Sequence, residues 1–580
     1  MTNSKIDQYI LDRAQLWLDG NYDVETKSAI RKMIENNPTE LIDAFYRDLE
    51  FGTGGLRGVM GAGTNRMNKY TVGAATQGLA NYMKKMFPDR EGIGVAIAFD
   101  SRNNNTFFAD ICSDVLSANG IKVFVFDDIR PTPELSFAIR HLKCQAGIVI
   151  TASHNPPEYN GYKAYWEDGG QLIAPHDKNV IDEVNEIKEI NQINFKRNGD
   201  LIESIGADID KAYLENIASL SLSPEIVKKH KDFKIVYTPI HGTGVKLVPD
   251  GLKAFGFENI YNVPEQDIAD GNFPTVKSPN PEEPAALNMA INKAKEVNAS
   301  IVMATDPDAD RVGIAVRNDK NEFVLLNGNQ TATLLINYLI KKWKENVKLT
   351  GIEYIVKTIV TSEILKDIAF KNGVDYYDTL TGFKFIAEVL RLEEGKRTFI
   401  GGGEESYGYL VGDFVRDKDA VISCCIIAET AVWAAEQGKT LYELLPDIYV
   451  EFGFYKERLH SIVRKGKTGA EEITQMMVDY RNAPPAKINN SEVVMVKDYQ
   501  EQKEKDLVAD TEKDIDLPKS NVLQFFLKDG SKISIRPSGT EPKIKFYFSV
   551  KDELKTREEY DAMDAKLEKR LDSIILDLGL

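Results

Sequence analysis

Apolar and polar positions along this chain follow two periods in turn, and this predicts a series of α/β units. Residues 1–50 carry apolar side chains at helical spacing, which predicts helices. From about 93 to 200, short apolar runs typical of buried strands alternate with helical stretches. The same rhythm recurs at 232–325 and again at 350–435. Such alternation predicts sheets that are largely buried beneath helices.

The last fifth of the chain has a different pattern. Apolar segments at 521–527, 532–535 and 543–550 predict short strands, and the charged amphipathic stretch 558–576 predicts a helix after them. A smaller α+β domain follows from this pattern. Residues 497–518 are acidic, rich in lysine and poor in large apolar side chains, so we expect a mobile surface excursion there.

Length and composition set the broad class of protein. A chain of 580 residues is long enough for about three to five domains, each with its own core. With 43% hydrophobic and 28% charged residues, and no apolar run long enough to span a bilayer, we expect a globular protein with no membrane partner.

The net charge and the cysteine content limit which partners and which cellular compartment we expect. The net charge of −17, from 72 basic and 89 acidic residues, argues against nucleic acid or an anionic membrane as a partner. A small anionic substrate remains compatible with it if cations gather locally. The four cysteines lack the spacing of a disulfide or metal framework, and the N-terminus lacks a signal-peptide pattern. We therefore expect a cytoplasmic protein.

The most informative segment is the acidic loop at residues 306–311, which lies between two apolar runs. In an extended segment Asp306, Asp308 and Asp310 face the same side. Unpaired carboxylates about 6–7 Å apart repel by roughly 2–3 kcal/mol per pair at an effective dielectric near 20. A divalent cation would remove that cost, and oxygen ligands favour Mg²⁺ or Ca²⁺. A solvated acidic turn is the alternative, whereas an EF-hand is excluded because Arg311 occupies its required glycine position.

Three more strand ends carry polar side chains, where α/β sheets collect functional groups. Ser153 stands at the tip of the apolar run 146–150, as a candidate nucleophile or as a turn-capping hydroxyl. The glycine-rich turn 401–408 offers carboxylates and a hydroxyl that suit sugar hydroxyls, or forms a simple polar loop. The turn 536–543 joins two predicted strands, and Arg536 could grip a phosphate there.

Together these segments resemble those of the α-D-phosphohexomutases. Within that family the resemblance is to the phosphoglucomutase branch, which also contains phosphopentomutases and glucose-1,6-bisphosphate synthases. The matching segments are the phosphoserine loop at 151–156, the metal loop at 306–311, the sugar-binding loop at 403–406, the phosphate-binding loop at 536–540, the N-terminal active-site segment at 51–58 and the third-domain substrate loop at 381–384. They follow the family's order over nearly the whole chain.

The resemblance implies a four-domain fold around one cleft. Three similar α/β domains with mixed sheets would be followed by a smaller C-terminal α+β domain. The expected boundaries are 1–205 for the domain with the phosphoserine loop, 206–325 for the metal loop, 326–447 for the sugar-binding loop and 448–580 for the phosphate-binding loop.

The resemblance also implies the catalytic groups. Ser153 would carry a phosphate, and Mg²⁺ would be held by Asp306, Asp308, Asp310 and the phosphorylated Ser153. Lys163 is the candidate general acid/base, because a metal ion and cationic neighbours can lower the pKa of a lysine enough for it to act as a base.

Further expectations concern the phosphates and the sugar. His154 would help to hold the serine loop, and Arg311 would neutralise the transferred phosphate. The resemblance places the remaining substrate contacts at Arg57, Thr381, Lys384, Glu404, Ser406, Arg536, Ser538, Gly539, Thr540 and Lys543.

The expected reaction interconverts α-D-glucose 1-phosphate and glucose 6-phosphate, with glucose 1,6-bisphosphate as intermediate and activator. The alternatives are a phosphopentomutase, a phosphomannomutase and, from another class, a non-catalytic sensor of sugar phosphates. Mannose-directed relatives carry a histidine after the sugar-binding serine, whereas Tyr407 and Gly408 follow Ser406 here. This difference favours glucose or a pentose, and the sequence leaves the oligomeric state open.

Overall fold

The computed structural model describes residues 6–52, 55–90, 92–464, 466–538 and 543–580, without the side chains of residues 466 and 467. The strands of this part of the chain form four sheets. Each sheet with its helices forms one unit, numbered first to fourth along the chain. Within the described ranges no single helix has the length and apolarity to cross a membrane, although one pair bent by 81° meets that test by length and composition.

Three helices precede the first sheet and share a small core. Asp23 begins the second helix, because its carboxylate accepts a hydrogen bond of 2.6 Å from the backbone N–H of Thr26. Trp17 is buried in this core and stacks on Tyr22 with ring centroids 4.3 Å apart. The helices predicted within residues 1–50 are α1 (Gln8–Asp19), α2 (Val24–Asn36) and α3 (Pro38–Phe45).

The first sheet is mixed and has six strands. Its unit consists of β1 (Gly55–Val59), α4 (Lys69–Met86), β2 (Gly94–Phe99), α5 (Asn105–Ala118), β3 (Lys122–Phe126), α6 (Thr132–His141), β4 (Ala146–Ile150), β5 (Tyr159–Trp166), α7 (His176–Asn185) and β6 (Ile202–Ile205). The strand order is β1-β5-β4-β2-β3-β6, and β5 is antiparallel to both of its neighbours. Alternate residues of β2 pack into two different hydrophobic clusters, so both faces of the sheet are covered.

The second sheet has five strands in the order β11-β10-β9-β7-β8. Its unit consists of α8 (Ala207–Ser219), α9 (Pro224–Lys229), β7 (Lys234–Thr238), α10 (Gly244–Ala254), β8 (Asn259–Asn262), α11 (Pro284–Val297), β9 (Ile301–Thr305), β10 (Val312–Arg317) and β11 (Phe323–Leu326). β9 is parallel to β7 and antiparallel to β10, so the chain reverses between β9 and β10. The acidic loop makes that reversal.

The third sheet has four strands in the order β13-β12-β14-β15. Its unit consists of α12 (Gly328–Glu345), β12 (Glu353–Thr358), α13 (Ile364–Lys371), β13 (Asp375–Thr379), α14 (Phe383–Glu393), β14 (Thr398–Gly403), β15 (Tyr409–Val411), α15 (Ala420–Glu436) and α16 (Leu441–Phe452). β14 is parallel to β12 and antiparallel to β15, and the glycine-rich turn joins β14 to β15.

The fourth unit is an antiparallel sheet with two helices. Its elements are β16 (Phe454–Val463), α17 (Gly466–Asn482), β17 (Lys487–Ile488), β18 (Ser491–Asp498), β19 (Lys503–Asp506), β20 (Thr511–Asp514), β21 (Leu523–Leu527), β22 (Lys532–Pro537), β23 (Lys543–Asp552) and α18 (Tyr560–Asp577). The main strand order is β16-β23-β22-β21-β18-β19-β20. Three mixed sheets followed by this smaller α+β unit confirm the predicted fold class, whereas the domain boundaries stay a prediction.

The expectation of a mobile excursion at residues 497–518 is wrong. The segment contributes β19 and β20, which continue the sheet beyond β18. Opposite charges face each other across these strands: the ammonium of Lys497 lies 2.8 Å from Glu504, and that of Lys503 lies 3.1 Å from Glu512. Cross-strand charge pairs and the backbone ladder thus stabilise strands that have few apolar side chains.

The third and fourth units meet at a buried cation. The Lys532 ammonium donates to Glu363 Oε1 at 2.5 Å and to the carbonyl oxygen of Ile359 at 3.1 Å, and the residue is 4% exposed. The Gln524 amide donates to the same carbonyl oxygen at 2.7 Å. Burial of a charge is tolerated only when it is paired and hydrogen-bonded, so this cluster fixes how the two units dock.

Replacing Lys532 by methionine removes the ammonium and keeps the apolar stem. We expect the free energy of unfolding to fall by about 1–3 kcal/mol, because the half-buried Glu363, which keeps Lys357 at 3.1 Å, loses one of its two ammonium partners. Urea denaturation measures the change. In the matched control Lys528→Met, an exposed ion pair with Glu492 is lost, and the change should stay below about 1 kcal/mol. Equal changes in the two variants would contradict this role of Lys532.

Candidate active site

The serine loop and the acidic loop, which belong to different sheets, meet directly. β4 ends at Ile150, and the chain then brings Ser153 to the tip with its backbone in the left-handed region, at φ 52°. Ser153 Oγ donates a hydrogen bond of 2.8 Å to Asp306 Oδ2 and lies 3.1 Å from His154 Nδ1. The sequence expectation that residues 153 and 306 come together is therefore confirmed by the geometry.

The acidic loop is folded tightly around its first carboxylate. Asp306 Oδ1 accepts hydrogen bonds from the backbone N–H groups of Asp310 at 3.1 Å and Arg311 at 3.0 Å. Ala309 adopts a left-handed φ of 49°, which lets the loop close. One carboxylate oxygen from each of Asp306, Asp308 and Asp310 lies within 4.8 Å of the others, and all three residues are buried.

These carboxylates fit a hard divalent cation. Asp308 Oδ1 and Asp310 Oδ1 are buried and have no hydrogen-bond partner among the described residues. Burial, and then the charges of Asp308 and Asp310, raise the pKa of Asp306 well above its usual range. A cation bound by the three oxygens would remove both the repulsion and the unmet hydrogen-bonding capacity.

Lys163, on β5, lies against the same carboxylates. Its ammonium donates to Asp308 Oδ2 at 2.7 Å and to Asp310 Oδ2 at 3.2 Å. Burial alone would lower the pKa of Lys163, but the two carboxylates outweigh it and raise this pKa. The expected lowering of this pKa depends on a metal ion as well as on cationic neighbours, and it stays a prediction.

His154 lies beside Ser153, and Arg311 lies beside Asp310. Burial, followed by the charges of Arg311 and Arg57, lowers the pKa of His154 to about 3, so its ring is neutral near pH 7. Arg311 donates to Glu282 Oε1 at 2.8 Å. The exposed Arg57 of β1 donates to Asn155 in the serine loop at 3.3 Å.

Sequence reasoning missed two side chains at the carboxylates. The Lys418 ammonium lies 3.2 Å from Asp310 Oδ2 and 2.9 Å from Asp417 Oδ1. Thr132, at the start of α6, donates its hydroxyl hydrogen to Asp308 Oδ2 at 3.1 Å. The signal in the sequence that could have found Lys418 is the run of four charged residues at 416–419, directly before an apolar helix. In the structure all four are buried.

The two predicted loops of the third unit adjoin each other. Glu404 Oε1 accepts a hydrogen bond of 2.9 Å from the backbone N–H of Gly382, which sits between Thr381 and Lys384. The Lys384 ammonium lies 4.0 Å from Asp177 Oδ2 of the first unit, and burial lowers the pKa of this lysine. Ser406 is half-buried in the same glycine-rich turn.

The fourth predicted loop lies at the turn from β22 to β23. The Ser538 backbone N–H donates to the carbonyl oxygen of Lys543 at 2.9 Å, and Arg536 pairs with Lys545 across the strands. Two further predicted contacts, Gly539 and Thr540, lie outside the described residues.

Lys545, also missed from sequence, links this turn to the rest of the site electrostatically. Burial lowers the pKa of Lys545, and the charges of Lys543, Arg536 and Arg311 lower it further, while Glu405 opposes them. Lys545 is therefore near enough to Glu405 of the sugar-binding loop and to Arg311 of the acidic loop for their charges to act on it.

Comparison with known proteins identifies the family. Residues 48–191, 211–320 and 327–452 match the α/β/α domains I, II and III of phosphoglucomutase/phosphomannomutase, and residues 487–566 match its C-terminal domain. The chain belongs to the phosphoglucomutase/phosphomannomutase family and is an enzyme of the intramolecular phosphotransferase class.

Curated relatives are similar over most of their length. The phosphoglucomutase of Staphylococcus haemolyticus (strain JCSC1435) is 38% identical over 509 residues, which cover 87% of this chain and 91% of the relative. That of Staphylococcus aureus (strain USA300) is 37% identical over 542 residues, or 93% of this chain and 95% of the relative.

Solved structures share the fold at lower identity. The open form of pp63/parafusin from Paramecium aligns with a TM-score of 0.67 at 19% identity, covering 92% of this chain and 96% of that one. A phosphoglucomutase/phosphomannomutase family protein from Burkholderia thailandensis aligns with a TM-score of 0.62 at 18% identity, covering 90% and 96%. These likenesses support the four-unit architecture.

The three carboxylates predict a stabilising cation. We expect magnesium or calcium chloride to raise the unfolding midpoint, because an ion that binds only the folded state adds about 2.7 kcal/mol at 100 times its dissociation constant. Differential scanning calorimetry measures the shift. Asp310→Asn should lose it, whereas Asp319→Asn, on an exposed turn of the same unit, should keep it. A full shift in Asp310→Asn would refute the site.

Proposed function

We propose that this enzyme is a phosphoglucomutase, which interconverts α-D-glucose 1-phosphate and glucose 6-phosphate through a phosphorylated Ser153 and a glucose 1,6-bisphosphate intermediate. The observation that carries the proposal is the 2.8 Å contact between Ser153 Oγ and Asp306 Oδ2 inside a buried carboxylate cluster. Relatives at 37–38% identity that carry this name support the choice of sugar.

Phosphoryl transfer needs alignment and charge neutralisation more than covalent help from the protein. Asp306, Asp308 and Asp310, with a phosphate oxygen on Ser153, are the proposed ligands of Mg²⁺. When bound, Mg²⁺ would neutralise charge on the phosphate and on the carboxylates that raise the pKa of Lys163. Arg311 adds a fixed positive charge directly beside this cluster.

The proton of the attacking sugar hydroxyl needs an acceptor, and the departing Ser153 oxygen needs a donor. Lys163, which contacts Asp308 and Asp310, is the proposed group for both: in its neutral amine form it would take the sugar proton and then give that proton to Ser153 Oγ. His154 is neutral and lies 3.1 Å from Ser153 Oγ, so we assign it to orienting that hydroxyl. The sugar oxygen bonds to phosphorus as the bond from phosphorus to Ser153 Oγ breaks, and the second transfer reverses these steps.

The non-transferring phosphate and the sugar are assigned to the other loops. Glu404 would accept hydrogen bonds from sugar hydroxyls, and the Ser406 hydroxyl would donate or accept them. Such contacts can form with either orientation of the bisphosphate intermediate. The protein is acidic overall, but cationic side chains from three units would balance the negative charge of the substrate's phosphates. The proposed contacts are Arg57, Thr381, Lys384, Arg536, Ser538, Gly539, Thr540 and Lys543. The proposed location is the cytoplasm, and the four cysteines are free and buried, as expected for a reducing compartment.

A coupled assay with glucose 1-phosphate, Mg²⁺ and catalytic glucose 1,6-bisphosphate tests the function. We expect turnover in the wild type and none above background in Ser153→Ala, because the phosphate acceptor is lost. Ser113→Ala, which removes a buried hydroxyl of α5, should keep nearly full activity.

Other outcomes of this assay separate the alternatives. A higher specificity constant on ribose 1-phosphate or mannose 1-phosphate would overturn the choice of glucose. Normal turnover by Ser153→Ala would overturn the phosphoserine, and no turnover on any sugar phosphate would favour a sensor.

Arg536→Ala should act mainly on substrate binding. Loss of a charge-assisted grip of about 1.5–3 kcal/mol predicts a KM for glucose 1-phosphate that rises roughly 10- to 150-fold, with a smaller change in kcat. Arg481→Ala, which breaks an ion pair with Asp498 elsewhere in the fourth unit, should leave KM unchanged. The role of Arg536 fails if both variants keep the wild-type KM in steady-state kinetics.

A further inference from the structure

Arg102 makes an unusual set of contacts with the serine loop. Its two terminal nitrogens donate to three backbone carbonyl oxygens of that loop, those of Pro156 at 2.8 Å, Ser153 at 2.5 Å, and Asn155, and to that of Tyr159 at the start of β5 at 3.0 Å. The side chain of Arg102 is completely buried. Its two terminal nitrogens therefore bind backbone carbonyl oxygens, while Nε lies 3.5 Å from Asp100 Oδ2.

The backbone N–H of Ser153 is also held, through Thr151 and Asp100. Asp100 accepts hydrogen bonds from the backbone N–H of Arg102 at 2.8 Å and from the Thr151 hydroxyl at 2.5 Å. Thr151 Oγ1 in turn accepts a hydrogen bond of 2.8 Å from the Ser153 N–H. Asp100 and Arg102 thus control both the N–H and the C=O of the residue that carries the reactive hydroxyl.

The hydrogen bonds to the N–H and C=O of Ser153 explain its strained backbone conformation. Ser153 has φ 52°, a left-handed value that a non-glycine residue keeps only when its surroundings impose it. In that conformation its Oγ meets Asp306 at 2.8 Å. The Arg102 guanidinium also lies 5.1 Å from the ring centroid of Phe273 in the second unit, which fixes the plane of the fork.

We infer that Arg102 is a positioning residue, which holds the serine loop so that Ser153 Oγ points at the carboxylate cluster. The inference rests on the proposed mutase function for its catalytic consequence. A planar fork with five donors can serve several carbonyl oxygens at once, whereas a lysine ammonium has three donors on a single atom. Arg102→Lys keeps the charge and loses this geometry.

Steady-state kinetics of Arg102→Lys test the inference. We expect kcat to fall about 100-fold, because misplacing a reacting group by about 1 Å has that effect. The KM for glucose 1-phosphate should stay within about threefold, since other loops bind the substrate. The matched control is Arg66→Lys: Arg66 is also buried in the first unit and donates to the carbonyl oxygens of Asp43 at 3.1 Å and Asn65 at 3.2 Å, away from the serine loop. Its kcat should stay within about twofold of the wild type.

Hydrogen exchange of residues 151–159 gives a readout independent of turnover. It should become faster in Arg102→Lys and stay unchanged in Arg66→Lys. Unchanged exchange in this loop, or a kcat within threefold of the wild type, overturns the inference. If the wild type shows no mutase turnover, the proposed function fails, while the exchange result alone still decides whether Arg102 holds the loop. Should Arg102→Lys not fold, Thr151→Val removes the bridge to Asp100, and the same loss of kcat and faster exchange are expected; wild-type values would overturn the inference.

Discussion

Three carboxylates that are held together away from water are the constraint on which the rest of this structure depends. With their oxygens at most 4.8 Å apart, the ionised Asp306, Asp308 and Asp310 would repel one another by about 3.5 kcal/mol or more per pair at an effective dielectric near 20. The fold offsets this repulsion with the ammonium groups of Lys163 and Lys418, which come from the first and third units. Local sequence alone would not keep the cluster together. It is stable because distant parts of the chain supply the opposite charge, and the same charges prepare the place for a cation and a phosphate.

The acidic loop is also the backbone junction of the protein. The Thr132 N–H of the first unit donates to the carbonyl oxygen of Asp308 at 2.9 Å, and the Ala420 N–H of the third unit donates to that of Ala309 at 3.2 Å. On the other side of the loop, Val312 takes part in a backbone hydrogen bond with the glycine-rich turn. Three units therefore share one loop, and the geometry of the site is set where they join. The fourth unit is attached mainly through the third, at the buried Lys532.

The sequence predicted those parts of the fold that depend on local pattern. Apolar runs followed by polar turns located Ser153 and the carboxylates, because ligands of α/β sheets bind at the carboxyl ends of the strands. Thr132 and Lys418 were not predicted as site residues, because each belongs to the site only through a contact with a carboxylate of another unit. The segment 497–518 was misjudged because its strands are held by charge pairs, which a hydrophobic pattern does not register. The contacts of Lys163 could not be predicted for a related reason: both carboxylates beside it come from another unit.

Asp308 Oδ2 belongs to the second unit, yet both of its hydrogen-bond donors, Lys163 and Thr132, belong to the first. The border between these two units consequently runs through the carboxylate cluster itself. Any substitution that tilts one unit against the other, even one remote from the cleft, displaces this oxygen from its companions. With Mg²⁺ as the proposed ion, such a variant would need a higher magnesium concentration for activity, and this dependence would report on the alignment of the two units as well as on the carboxylates.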